Sequence, residues 1–164
     1  MPGRLLRAAL LLAMLPWLAA CSTAVLYQDA GAPNLHLSTT STGQFLTATV
    51  VYLDIHRVTT DCRAEYVGSL NLWAPLPLRP PADAVHLPEE RLSQLVFKFK
   101  TVGGGNGSAL TSYATLLRPR AGYTYDATVS YNAGLYDAEI REIGPHSAPG
   151  RKIEHRSLSE CRRV

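Results

Sequence analysis

Apolar and polar residues alternate along most of the chain, the pattern of β-strands whose side chains point to opposite faces. The most regular example runs from Tyr123 to Tyr131, where tyrosine, alanine and valine alternate with polar residues. The same alternation marks residues 47–56, 64–72, 95–99, 113–117, 136–140 and 151–155. The pattern therefore predicts about seven or eight strands.

Turn-forming residues separate these segments. Proline and glycine cluster at residues 75–81, 103–107, 132–134 and 144–150, where they favour tight turns and loops. The only stretch that resembles a helical turn is residues 88–92. Short strands with regular turns and no helix of ten residues predict an all-β fold, either an antiparallel β-sandwich or a small barrel.

A local motif refines this prediction. Leu117, Pro119 and Tyr123 resemble the Leu-x-Pro-x-x-x-Tyr approach to a strand in fibronectin type III domains. In those domains the tyrosine forms a corner, and its hydroxyl bonds to the backbone upstream. The resemblance implies an immunoglobulin- or fibronectin-like sandwich in which the ring of Tyr123 is buried and its hydroxyl has an upstream backbone partner.

Residues 1–20 have the organisation of a cleavable signal peptide. Arg4 and Arg7 precede an apolar run over residues 8–15, and small residues follow at Ala19 and Ala20. The run is shorter than the roughly 20 apolar residues of a transmembrane helix. We therefore interpret it as a leader rather than as a membrane anchor.

The sequence Leu18-Ala19-Ala20-Cys21 resembles the lipobox of bacterial lipoproteins. This resemblance implies cleavage before Cys21, a diacylglycerol on its sulfur and an acyl group on its new amine. Several acyl chains give a stable membrane anchor. Ser22 stands where aspartate directs such proteins to the inner membrane, so the resemblance implies the periplasmic face of the outer membrane.

As a whole, the chain is similar in layout to the small outer-membrane lipoproteins of Gram-negative bacteria that carry a single β-domain. The resemblance implies a signal peptide at residues 1–20, a lipidated N-terminus and tether at residues 21–44, and a β-sandwich at residues 45–164. The tether is rich in serine, threonine, alanine and glycine, and we expect it to donate at most one edge strand. The layout implies no activity.

The cysteine content fits this compartment. If Cys21 carries lipid, Cys62 and Cys161 remain as the other two cysteines of the chain. In an oxidising periplasm two such thiols most economically form one disulfide. A metal or redox pair would need closely spaced ligands, so we expect no metal site and no cofactor.

Candidate catalytic groups are scattered. The glycine-rich residues 103–108 lack the lysine of a phosphate-binding loop, and no Gly-x-Ser-x-Gly elbow occurs. The histidines are isolated from one another at His36, His56, His86, His146 and His155. The remaining combinations of suitable types are Asp54 with His56, His155 with Ser157 and Ser159, Glu89 with Glu90, and Glu139 with Glu142. Chance proximity explains them, so we predict that the protein is not an enzyme and has no catalytic residues.

Charge excludes one class of partner and leaves another open. Only 18% of the residues are charged and the net charge is +3, which argues against a nucleic-acid binder. The most basic stretch is the tail, residues 151–156 with Arg162 and Arg163. It either blunts an edge strand or contacts anionic headgroups or an acidic partner.

These observations predict a lipid-anchored, non-enzymatic envelope protein that contacts the membrane through Cys21 and binds an envelope protein. The residues do not identify its binding surface. The alternatives are a binder of small molecules or envelope polymers and an accessory lipoprotein of a secretion system. An exposed apolar patch at a sheet edge would favour the first hypothesis, and a deep pocket with convergent polar groups would favour the binder.

Overall fold

A computed structural model describes residues 25–42, 48–73, 82–102, 109–132, 135–146 and 150–164. Within these ranges the chain forms nine strands and one 3-10 helix at Leu158–Arg163. The strands are β1 Leu35–Thr42, β2 Ala48–Val58, β3 Ala64–Trp73, β4 Ala84–Val85, β5 Ser93–Val102, β6 Ala109–Leu117, β7 Thr124–Asn132, β8 Leu135–Ile143 and β9 Arg151–Lys152.

The strands form two separate sheets. One has the order β3-β2-β5-β6 and the other the order β4-β1-β7-β8-β9. All named strand pairs are antiparallel except β1 and β7, which run parallel. The predicted all-β sandwich is therefore confirmed, and the two open sheets replace the alternative of a small barrel.

The core lies between the sheets and follows from the alternation of each strand. Fully buried residues from both sheets meet there, among them Leu53, Phe97, Phe99, Tyr125 and Val129. Burying one such side chain contributes about 1.5–3 kcal/mol.

Two local features differ from the prediction. Residues 88–92 form a turn and not a helical segment. Helical structure within the described residues occurs instead at Leu158–Arg163, where the backbone N–H of Ser157 donates to the Glu160 carboxylate at 2.9 Å. No helix in the described ranges has the length and apolarity to span a membrane.

The segment expected to act as a tether contributes directly to the β-domain. Leu35 and Leu37 of β1 are buried, and β1 lies between β4 and β7. Further upstream, Tyr27 is buried and its backbone N–H donates to Ser69 at 3.1 Å. Within the described residues, the part of the chain from Val25 to Thr42 therefore contacts the domain directly.

The predicted disulfide joins Cys62 to Cys161, with their Cα atoms 5.8 Å apart. It lies in a small second apolar cluster with Val58, Leu92 and Leu116. The strand directions bring the β2–β3 turn, the segment before β5, the β6–β7 turn and the C-terminal helix to this same end of the sandwich. We call it the disulfide end.

Candidate functional site

The β6 edge, defined here as Leu110–Ala114, is an open strand edge. β6 pairs with β5 through nine residues without a register shift, and none of the described strands pairs with its other side. The sequence of β6, ALTSYATLL, contains no charged residue and no proline. Because charges, prolines and bulges are the usual protection of an edge strand, this edge is unusually accessible to another strand.

The orientation of its backbone follows from one hydrogen bond. The N–H of Leu116 donates away from β5, to the carbonyl of Arg156 at 3.0 Å. Backbone groups of an antiparallel strand alternate in direction, so the amides of Leu110, Ser112 and Ala114 also face outward. The side chain of Leu110 is 66% exposed. Among the described residues, no strand pairs with these outward donors and acceptors, and the β6 edge therefore presents them beside an exposed apolar side chain.

An open groove begins where β6 ends. Leu116 and Leu117 form part of its wall, and its volume is about 460 Å³. We call it the basic groove because its cationic side chains are Arg118, Arg120, Arg151, Lys152 and Arg156, against the carboxylates of Glu142 and Glu154.

Ion pairs neutralise only some of these cations. Arg120 and Arg151 bind Glu142 at 3.4 and 3.0 Å, and Lys152 binds Glu139 at 2.8 Å. The hydrogen bond to Glu139 raises the pKa of Lys152 and lowers that of Glu139. By contrast, Arg118 and Arg156 have no carboxylate within 4.0 Å among the described residues. Arg156 does contribute to lowering the pKa of Glu160, while the guanidinium group of Arg118 can bind a carboxylate or a phosphate.

Glu142, which lines the groove, is hydrogen-bonded to Tyr125. Glu142 is only 8% exposed, and the hydroxyl of the fully buried Tyr125 donates to its Oε2 at 3.1 Å. The same hydroxyl accepts the backbone N–H of Arg120 at 2.9 Å. Burial is the main cause that raises the pKa of Tyr125 to about 12, so its hydroxyl remains a proton donor at neutral pH.

The tyrosine corner expected at Tyr123 is therefore wrong in its position. Tyr123 is only partly buried, and the guanidinium of Arg120 lies 4.1 Å above its ring. Tyr125, two residues further on, makes the bond to the upstream backbone. Alternate residues of a strand point to the same face. The alternating sequence pattern therefore groups Tyr123 with Tyr125 and does not show which ring reaches the β6–β7 turn.

A second polar cluster lies on the outer face of the sheet β3-β2-β5-β6, on its strands β2, β3 and β5. Asp54 is buried there, and its carboxylate accepts hydrogen bonds from Lys98 Nζ and Ser69 Oγ, both at 2.5 Å. The Ser69 hydroxyl is also 2.7 Å from the hydroxyl of Tyr66. Through Asp54, this arrangement joins β2 to β5 and to β3.

The candidate catalytic groups lie in different parts of the fold, but Asp54 and His56 share one concavity with Tyr66, Ser69 and Lys98. There His56 packs edge-on against Tyr66 at 5.5 Å, and burial lowers its pKa. His155 packs against Tyr113, and the Ser157 hydroxyl bonds to Ser159 and Glu160. No group of three metal-ligating side chains occurs within the described ranges. Cys21 and the glycine-rich residues 103–107 lie outside the described residues.

Sequence reasoning identified only part of this site. It named the basic tail, which supplies Arg151, Lys152 and Arg156, and Glu142, but it did not connect them with Arg118 and Arg120 of the β6–β7 turn. The absence of any charge or proline from residues 109–117 was a detectable signal of an open edge.

Comparisons with protein-family models, with curated proteins and with solved structures found no match to this chain.

Proposed function

We propose that the protein is a lipid-anchored, non-enzymatic interaction module of the cell envelope that takes an extended segment of a partner protein as an added strand beside β6. The lipobox-like residues ending at Cys21 support the anchor, at the periplasmic face of the outer membrane. The observation that carries the binding role is the β6 edge, an uncharged part of a nine-residue strand that no other described strand pairs on its outer side.

Strand addition suits this edge chemically. An extended segment gains affinity from main-chain hydrogen bonds to the outward amides and carbonyls, and specificity from alternate side chains. The exposed Leu110 side chain offers an apolar contact beside the new strand. A segment that continues past Ala114 would reach the basic groove, where Arg118 and Arg156 favour an acidic residue or a C-terminal carboxylate. We therefore expect the recognised segment to have an apolar part that pairs with β6 and an acidic group at the end that lies beside Arg118 and Arg156.

The test is photo-crosslinking in intact cells from position 110, with position 128 as the control. Thr128 is exposed on β7 in the opposite sheet. We expect a specific crosslinked protein from position 110 and none from position 128. The same experiment is then repeated in Ser112→Pro and Ser112→Ala variants.

Proline at position 112 removes an outward N–H without changing the bonds to β5. The product from position 110 should disappear in Ser112→Pro and persist in Ser112→Ala. Equal yields in the two variants, or no product from position 110, would contradict strand addition. Thermal unfolding of both variants controls for damage to the domain.

The alternative of a binder of anionic envelope polymers or small anions rests on the basic groove alone. Under that hypothesis, Arg118→Glu with Arg156→Glu abolishes binding of the purified domain to an anionic polymer, while Ser112→Pro has no effect. Arg63→Glu is the matched control, because Arg63 is exposed and pairs with Asp61 outside the groove. The two proposals therefore give opposite results in the same set of variants.

A further inference from the structure

Exposed apolar side chains lie along the β3 edge, where Tyr66 borders one concavity and Val67 borders another. Among the described residues six large hydrophobic side chains are exposed, and four of them belong to this edge: Val25 at 56%, Leu26 at 45%, Tyr66 at 45% and Val67 at 40%. We call these four residues the β3 patch. Since single exposed apolar residues are ordinary but grouped ones indicate a contact surface, the β3 patch requires an explanation of its own.

The N-terminal part of the patch is fixed to the sheet. Ser69 donates its N–H to Val25 at 2.8 Å, Tyr27 donates to Ser69 at 3.1 Å, and Leu26 forms a parallel bridge with Ser69. The buried Tyr27 side chain adds a hydrogen bond from its hydroxyl to the carbonyl of His86 at 2.9 Å. The position at which the chain enters the domain is therefore set by the fold.

Gly68 makes this close approach feasible. A Cβ atom at Gly68 would lie 2.6 Å from the Cα of Tyr27, which is backbone and has no freedom to rotate away. The segment Val25–Tyr27 therefore packs directly on the β3 backbone. This segment is therefore part of the domain. The point at which the chain enters the domain lies within the β3 patch.

The distance from this point to the expected lipid is short. Only Ser22, Thr23 and Ala24 separate Cys21 from Val25. At a maximum of about 3.3–3.6 Å per residue, four steps span at most about 14 Å, whatever their conformation. The Cα atom of Val25, at the N-terminal end of the β3 patch, is therefore within that distance of the Cα atom of Cys21, which carries the expected lipid.

We infer that the β3 patch lies against the surface of the bilayer that holds the acyl chains of Cys21. This inference rests on the proposed anchoring through Cys21. Apolar side chains leave water at the interface, and the phenol ring of Tyr66 suits the headgroup region. Arg57, Arg91 and Asp29 line a concavity beside Val67. Glu65 pairs with Arg57, and Asp29 lies 3.3 Å from His86.

The orientation has a direct consequence for the β6 edge. The β3 and β6 strands are the opposite edges of one four-stranded sheet. Three strand spacings of about 4.8 Å place β6 about 14 Å further from the membrane than β3. The partner-binding edge therefore faces the aqueous space while the β3 patch faces the lipid.

The experiment measures depth with an environment-sensitive fluorescent amino acid in the full-length, acylated protein. It replaces Val67 in one sample, Leu110 in a second and Thr128 in a third. Each protein is reconstituted into vesicles of phosphatidylethanolamine and phosphatidylglycerol that contain spin-labelled lipid. Mass spectrometry confirms the acyl groups on Cys21. A fourth sample, labelled at position 67, carries a long glycine-serine insertion between Ala24 and Val25.

We expect emission from position 67 to shift to shorter wavelength and to be quenched by the spin-labelled lipid. Emission from positions 110 and 128 should show neither change, and the insertion should reduce the quenching at position 67. An acylated, vesicle-bound protein whose position 67 remains unquenched would overturn the orientation but leave the anchor intact. A mature protein without lipid on Cys21, with the same vesicle binding in Cys21→Ser, would overturn both.

Discussion

The hydroxyl of Tyr125 offers a sharp test of how the disulfide end is built. Replacing Tyr125 with phenylalanine removes one oxygen from a ring that is fully buried. Two contacts disappear with it: the bond accepted from the N–H of Arg120 at 2.9 Å and the bond donated to Glu142 at 3.1 Å. No apolar contact of the ring is lost.

The size of the loss in stability depends on which hydrogen-bond partners each former partner of the hydroxyl keeps. A buried group that loses its hydrogen bond costs about 1–3 kcal/mol, and a bond to a charged group is worth about 1.5–3 kcal/mol. Glu142 keeps Arg120 and Arg151 as partners, and water reaches the groove that it lines. The main loss is then the hydrogen bond of the Arg120 N–H, and we expect Tyr125→Phe to lower the free energy of unfolding by about 2 kcal/mol, within the range for one lost buried hydrogen bond.

Tyr123→Phe is the matched control. It also removes one hydroxyl from a ring two residues away, but that ring is only partly buried and keeps its contact with the Arg120 guanidinium. We expect this variant to change the free energy of unfolding by less than about 0.5 kcal/mol. Urea denaturation measures both, and a loss of 2 kcal/mol corresponds to a midpoint shift of about 1 M when the slope is unchanged.

Equal shifts in the two variants, or a larger shift in Tyr123→Phe, would refute this account of the β6–β7 turn. A change of slope in Tyr125→Phe would show instead that the unfolded ensemble, or two-state behaviour, had changed. The double variant provides a further check, because the two effects should add if the rings act independently.

The disulfide and the pH dependence give further tests. Replacing Cys62 and Cys161 with serine should lower the free energy of unfolding by about 2–5 kcal/mol, since the bridge closes a span of 99 residues; a reductant that leaves the wild-type melting temperature unchanged would contradict this. Burial raises the pKa of Tyr27 and of Tyr125 to about 12, from an ordinary value of 10.0. Their contribution to stability is complete below pH 10 and is lost as the pH rises towards 12, because the unfolded chain releases these protons first. The urea midpoint should therefore fall across this range, and less steeply in Tyr125→Phe; a constant wild-type midpoint would contradict the assignment.

The long strands were predictable because each buries one face, and this imposes a period of two on the sequence. The alternation over residues 123–131 corresponds to β7 at Thr124–Asn132, and that over residues 47–56 corresponds to β2 at Ala48–Val58. Strand partners were not predictable in the same way. The parallel pairing of β1 with β7 depends on contacts between segments that carry no mutual signal in one sequence.

The candidate site was less predictable because it is assembled from distant segments. Arg118 and Arg120 come from one turn, whereas Arg151 and Arg156 follow β8, and only the fold brings these two groups to one groove. The N-terminal contact was missed for a different reason. Val25–Tyr27 is a short apolar island among small polar residues, and its packing depends on the absence of a side chain at Gly68.

The parallel pairing of β1 with β7 also sets an order in which the domain is completed during synthesis. The sheet β3-β2-β5-β6 draws its strands from residues 48–117, so all four exist before β7 has been made. β1 can pair earlier with β4 through two residues, but its long pairing waits for β7, whose residues lie 90 positions later in the chain. Until then, Leu53, Phe97 and Phe99 have no opposing sheet to cover them. A chain interrupted before Thr124 therefore presents one bare apolar face, which makes it a substrate for the chaperones and proteases that recognise unfinished proteins.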